Sequence, residues 1–224
     1  MNLSKYHFQS LFLLSFLIGS LFLNACKKEV ATYDLSGKVF DPQLKKNVSS
    51  ANISLKASKV QSGIYNPNYT EIQSVNTSSD GSFYLKVDYD NVSGYQVDVS
   101  KNNYFDESIR LKTDDIQNPD GLSLNIDLIP IAHIEIRIKN TTPQAADDEI
   151  RVHFSNVDVK CKDCWNNDTI VGIGPSYNFS KTAQVSGEKK MVLKWVVKKN
   201  GIQHVYKDTI LSKAFTTVTY NIDY

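Results

Sequence analysis

Thiols and imidazoles are scarce in this chain: three cysteines and four histidines in 224 residues, with two methionines and two tryptophans. A structural zinc site asks for four ligands. The chain offers a single Cys-x-x-Cys, Cys161 and Cys164, with His133, His153 and His204 scattered around it. Charge of one sign is missing as well, because 25 basic residues face 24 acidic ones, which leaves no basic stripe of the kind nucleic acid requires. No Gly-x-Ser-x-Gly elbow occurs for a serine nucleophile, and Asp and Glu are spread over loop-like stretches rather than paired for glycoside hydrolysis. No catalytic residue, bound metal or cofactor is therefore expected. The acidic runs Asp114-Asp115 and Asp147-Asp148-Glu149 lack the alternating oxygens and glycine of a calcium loop and read as solvated loops. Helical periodicity is absent beyond two turns.

Long apolar runs are missing too, apart from one between Leu11 and Leu23 that follows a short start with a single lysine, Lys5. A membrane-spanning helix needs about 20 apolar residues, whereas the core of a secretory leader needs about 7 to 15. Processing is thus favoured over permanent insertion, with 1–25 as the leader. The run ends in Leu23-Asn24-Ala25-Cys26, which resembles the lipobox of bacterial lipoproteins. That resemblance implies a thioether from Cys26 to diacylglycerol and, after cleavage, an acylated Cys26 at the new amino terminus. An ordinary secretory signal with an incidental cysteine is the alternative. Cys26 is followed by Lys27-Lys28-Glu29, without the aspartate that in such lipoproteins commonly signals inner-membrane retention. Outer-membrane residence is expected, and both the periplasmic and the cell-surface face remain open, because Lys28-Glu29 resembles part of a surface-export tag.

After a short tether over 26–33, strand signals recur near 34–40, 51–56, 70–76, 82–88, 94–100, 107–112 and 122–128, separated by Asn, Asp, Gly, Ser and Pro clusters. Alternation puts Phe83, Leu85 and Val87 on one face, and Leu122, Leu124, Ile126 and Leu128 on another. A second set begins after Pro130, with Ile134, Ile136 and Ile138 inward, then Ile150, Val152 and Phe154. The Asn200-Gly201 dipeptide predicts a type I′ hairpin that pairs Trp195 with Tyr206 and Val196 with Val205. A last strand is expected from Thr216 to Ile222. The fold class is all-β: two tandem β-sandwich domains over 34–129 and 130–224, abutting without a flexible linker.

The first of these resembles the carboxypeptidase regulatory-like family, a transthyretin-like sandwich. Leu35-Ser36-Gly37-Lys38-Val39-Phe40-Asp41 matches the family's opening strand, and Ala51-Asn52-Ile53-Ser54-Leu55 its second. Thr77-Ser78-Ser79-Asp80-Gly81-Ser82-Phe83 is similar to its most recognisable stretch, where Asp-Gly turns tightly before an inward aromatic. Gly94-Tyr95-Gln96-Val97-Asp98-Val99, with Tyr104 beyond, is similar to the closing strand and tyrosine. The usual Gly-x-Pro turn is replaced by Pro42-Gln43-Leu44-Lys45-Lys46-Asn47. The resemblance implies a spacing or interaction unit without catalytic residues. The second domain resembles immunoglobulin-like or fibronectin-like sandwiches in strand rhythm alone.

Cys161 and Cys164 form an even pair in an oxidising compartment and are read as a disulfide that staples a loop, with half a metal site, a redox pair or free thiols as alternatives. Tyr65 and Tyr69, in a long segment from Ser58, and Trp165, beside the cysteines, are the candidate ligand contacts. Their bland counterparts are a loop packing its own tyrosines and a tryptophan capping the pair. The expected function is a non-catalytic, membrane-anchored lipoprotein of the cell envelope, structural or protein-binding, with an envelope protein or glycan as the partner. The alternative is a glycan-binding accessory lipoprotein of a nutrient-uptake complex.

Overall fold

The computed structural model describes residues 31–61, 64–65, 67–88, 90–155, 157, 164–166 and 168–224. Cys26 and Cys161, and the side chain of Tyr65, lie outside the described residues. One compact unit runs from Tyr33 to Tyr224, and it is an all-β sandwich fold, as the strand rhythm of the sequence implies. Its first nine strands are β1 (Thr32–Asp41), β2 (Lys46–Asn47), β3 (Asn52–Gln61), β4 (Ile64–Tyr65), β5 (Thr70–Asn76), β6 (Ser82–Asp88), β7 (Val92–Ser100), β8 (Glu107–Leu111) and β9 (Leu122–Asp127). A single turn of helix, α1 (Thr113–Ile116), sits between β8 and β9. The remainder is β10 (Ile131–Lys139), β11 (Glu149–Ser155), β12 (Ile170–Ile173), β13 (Asn178–Ser186), β14 (Lys189–Lys199), β15 (Ile202–Ser212) and β16 (Thr217–Asp223).

Four sheets make two layered pairs, each closed around its own apolar core. In the first, β1 lies beside β6 and runs parallel to β9, while β3 pairs with β5 and β7, and β7 with β8. In the second, β10 lies beside β13 and runs parallel to β16, while β11 pairs with β12 and β14, and β14 with β15. Apart from the two-residue strands β2 and β4, the second half repeats the pairing of the first strand for strand. The corresponding turns β5–β6 and β12–β13 each carry a glycine at positive φ, Gly81 at 76° and Gly174 at 101°.

Alternation builds both cores. Phe83, Leu85 and Val87 point inward from β6, and Ile134, Ile136 and Ile138 from β10, all of them buried. Each such side chain contributes roughly 1.5–3 kcal/mol relative to exposure. The Asp80-Gly81 turn behaves as its residues imply. Asp80 accepts from Ser78 and Ser82, Gly81 N–H donates to the Ser78 carbonyl (3.0 Å), and Val39 N–H donates to the Gly81 carbonyl (2.9 Å). Gly37 is required for a different reason, because a Cβ there would lie 2.2 Å from the Leu124 carbonyl oxygen and 2.7 Å from the Phe83 ring.

The segment joining the halves is held on both sides. Phe105 N–H donates to the Ile129 carbonyl (3.0 Å) and Ile131 N–H to that of Asn103 (2.8 Å) from the first half. From the second, Gly187 N–H donates to the Pro130 carbonyl (2.7 Å) and Phe215 N–H to that of Ile131 (2.8 Å). The Tyr104 ring meets Phe215, and its hydroxyl donates to the buried Asp41 (3.1 Å), whose other oxygen accepts from Gln43 N–H and Leu44 N–H. Such a four-bond clamp replaces the flexible linker that would let two modules swing.

Candidate functional site

A groove of about 450 Å³ opens in the second half, where the β14–β15 hairpin reaches past the sheet that faces it. Asn200 and Gly201 both have positive φ, 47° and 76°, as a type I′ turn demands. That turn fixes the cross-strand pairs Trp195–Tyr206, Val197–His204 and Lys199–Ile202, the first of them as the dipeptide predicted. All three pairs line the groove. The facing sheet has three strands against four, so the inward side of β15 is left partly uncovered, and Tyr206 is 45% exposed.

The rings are well fixed. Trp195 and Tyr206 lie near parallel, with centroids 5.4 Å apart and planes 16° apart, and Tyr220 meets Trp195 edge-on at 6.4 Å. The Tyr220 hydroxyl is bonded to Asp208. Burial and the Asp208 carboxylate push its pKa up to about 12, while the same bond holds Asp208 below the usual carboxylate range.

The opposite wall, with Thr142 and Gln144, belongs to the loop after β10 and is organised by two buried polar residues. Asp148 accepts from Gln144 N–H (2.8 Å), Ala145 N–H (3.1 Å) and Asn140 Nδ2 (3.0 Å). The Gln144 bond, more than any other, depresses its pKa. Asp148 is therefore a buried loop organiser, whereas the run Asp147-Asp148-Glu149 reads in the sequence as a solvated loop. Lys199 Nζ donates to Asn140 Oδ1 (3.0 Å) and to the carbonyl (2.6 Å) and hydroxyl (2.9 Å) of Thr142, and lies over the Tyr224 ring. The Tyr224 hydroxyl is buried with no hydrogen-bond partner among the described residues.

A second concavity, about 550 Å³, lies on the outer face of the β3–β7–β8 sheet, and its polar groups satisfy one another. Lys56 Nζ pairs with Asp98 (2.7 Å), which also accepts from Ser108 Oγ (2.6 Å) and Gln96 Nε2 (2.8 Å). Burial raises the Asp98 pKa, but these bonds outweigh it and the net shift is downward. Ser54 donates to Glu71 (2.6 Å). Among the described residues no three of His, Cys, Asp or Glu converge as a metal-binding group.

Trp165 and Tyr69, two of the ligand-contact candidates in the sequence, fall elsewhere. Trp165 is 1% exposed, packs against Phe154 with ring centroids 4.7 Å apart and planes tilted by 31°, and donates from Nε1 to the Ile134 carbonyl (3.0 Å). It is a core residue and presents no free face to a ligand. Beside it, Cys164 is disulfide-bonded and bridges to Gln184 across the chain. Tyr69 packs over Gly94, with Arg110 5.9 Å from its ring, and Tyr65 joins β3 through the Val60 pairing. Neither Trp165 nor Tyr69 lines the groove. The signal for the groove was present in the Asn200-Gly201 turn, which set Trp195 beside Tyr206, but which residues stay uncovered depends on the facing sheet.

No protein-family profile matches the chain, and no curated protein matches it. Among solved structures it is similar in fold to the Bacillus anthracis TIE protein, at 9% identity and a TM-score of 0.37 over 86% of this chain. The chain spans 34% of the length of that protein. It is similar also to the shaft pilin SpaA from Lactobacillus rhamnosus GG, at 8% identity and 0.32 over 86% of this chain and 98% of the pilin. A streptococcal ancillary pilin matches at 12% identity and 0.31, over 88% of this chain and 64% of that one.

Proposed function

We propose that this chain is a non-catalytic module of the bacterial cell envelope, carried on lipid at Cys26 and acting as a structural or protein-interaction unit. The observation that carries the reading is the clamped junction. Four backbone hydrogen bonds and the Tyr104–Phe215 contact hold one core against the next, so whatever the second core presents stands at a set distance and angle from the first. A spacer or display element needs that property, and a hinge would defeat it. The leader ending at Cys26 supports attachment, and the residues after it support the outer membrane.

Detergent phase partition in a bacterial host tests this. The wild-type chain is expected in the detergent phase and the outer-membrane fraction, and Cys26→Ser in the aqueous phase or retained with its leader. Equal partition of the two would contradict the anchor. In-cell crosslinking from the exposed faces then identifies the partner protein, and a chain that crosslinks to nothing in the envelope would remove the interaction half of the proposal.

A further inference from the structure

The groove in the second half has the makings of a binding site independent of any spacer role. Trp195, on the inward side of a sandwich strand, would ordinarily be covered by the facing sheet. Here that sheet is one strand short, and the ring pair Trp195–Tyr206 forms part of the wall of a volume of about 450 Å³. Small-molecule sites span roughly 300–1,000 Å³ and combine apolar or aromatic walls with a few placed polar groups.

Charge and hydrogen bonding narrow the ligand. Lys199 is already engaged by Asn140 and Thr142 and lies over Tyr224, so no free ammonium is left to attract an anion. Its positive charge acts on the buried Asp148 carboxylate behind the wall, and the side chain of Asp223 at the rim has no hydrogen bond or ion pair among the described residues. A cation in an aromatic cage needs several open ring faces turned to one point, whereas Trp195 and Tyr206 stack on each other and Tyr220 meets Trp195 edge-on. His204, the Tyr206 hydroxyl and the Trp195 indole N–H are likewise without hydrogen-bond partners among the described residues. The lining therefore offers ring surface, one carboxylate, one imidazole and two further donors.

We propose that this groove binds a neutral saccharide, with the C–H face of one pyranose ring against the exposed ring of Tyr206, which stacks on Trp195, and its hydroxyls bonded by Asp223 and His204. Sugars present this combination, an apolar ring face bordered by hydroxyls, and aromatic walls with polar tips match it.

The full chain is screened on an array of neutral oligosaccharides built from glucose, mannose, galactose and N-acetylglucosamine, with choline and an extended apolar peptide as comparators. The two tryptophans make the readout specific. The Trp165 indole N–H is buried on the Ile134 carbonyl, whereas Trp195 lines the groove and its indole N–H has no partner among the described residues. A neutral glycan is expected to bind and to shift the Trp195 indole resonance, assigned with Trp195→Phe, while leaving that of Trp165 in place. Tyr206→Ala and Asp223→Ala should each weaken binding about tenfold or more, about 1.4 kcal/mol, and Tyr69→Ala should leave it unchanged. Asp223 is exposed, so its variant keeps the test valid if Tyr206→Ala unfolds. The proposal is overturned if no neutral glycan binds, if choline or the peptide alone moves Trp195, or if binding survives Asp223→Ala undiminished.

Discussion

The ring of Tyr104 meets that of Phe215 edge-on, with centroids 5.3 Å apart and planes at 60°, and the contact joins one core of the molecule to the other. Phe215 reaches this place through a backbone φ of 64°, a region that bulky side chains rarely occupy, while Lys46 Nζ lies 5.3 Å from its ring. Local strain of this kind costs on the order of 1–3 kcal/mol and persists only where surrounding contacts over-determine it.

Two substitutions separate the ring from the strain. Phe215→Ala should destabilise the fold, with about 0.5–1.5 kcal/mol of coupling to Tyr104→Ala in a double-mutant cycle. Phe215→Gly loses the same ring but relieves the backbone, so its urea midpoint should equal or exceed that of Phe215→Ala. A lower midpoint for the glycine variant would show that the positive φ carries no strain.

Glycines at two positions should fail for opposite reasons. A Cβ on Gly201 meets nothing within 4 Å, so Gly201→Ala should cost only the left-handed backbone penalty, roughly 1–2 kcal/mol. Gly37 has no such φ, yet its Cβ would collide with the Leu124 carbonyl and the Phe83 ring. Gly37→Ala should therefore be the more damaging in denaturant melts, and it should weaken the parallel β1–β9 pairing seen by amide exchange.

Alkaline titration should reveal three reluctant phenols. Burial, more than the neighbouring carboxylates of Asp41 and Asp208, pushes Tyr104 and Tyr220 up to about 12, and burial does the same for Tyr224 beside Tyr177 and Asp148. An unfolded tyrosine ionises near pH 10. The folded state thus favours the neutral phenol, so the stability linked to these groups is fully present below about pH 10 and is lost as pH rises toward 12. Phenolate absorbance should show a late step that coincides with loss of near-ultraviolet dichroism. A single step near pH 10 in a still-folded protein would contradict the burial of these rings.

The sequence was most legible where local pattern and final environment agree. Phe83, Leu85 and Val87, the Ile134–Ile138 row and the Asn200-Gly201 register all follow from alternation and turn chemistry, and each stands in the structure as those rules imply. Strand β13 was hidden, because its residues Asn178–Thr182 are mostly exposed on a sheet edge and show no apolar alternation. Trp165 looked available beside the cysteines, yet its ring enters the core through contacts with Phe154 and Ile134 that no local spacing encodes. Asp148 is indistinguishable in the sequence from its solvated acidic neighbours, although three donors from Asn140, Gln144 and Ala145 hold it inside. The groove was the least legible feature, since it arises from four strands facing three. The shared topology of the halves is likewise a property of pairing, not of any repeated motif.

The proposed role depends on attachment at one thiol, and intact mass spectrometry of the membrane-extracted protein addresses it directly. The expected species begins at Cys26, lacks residues 1–25, and carries diacylglycerol on that cysteine. A chain recovered with Cys26 unmodified and still joined to Ala25 would contradict the account.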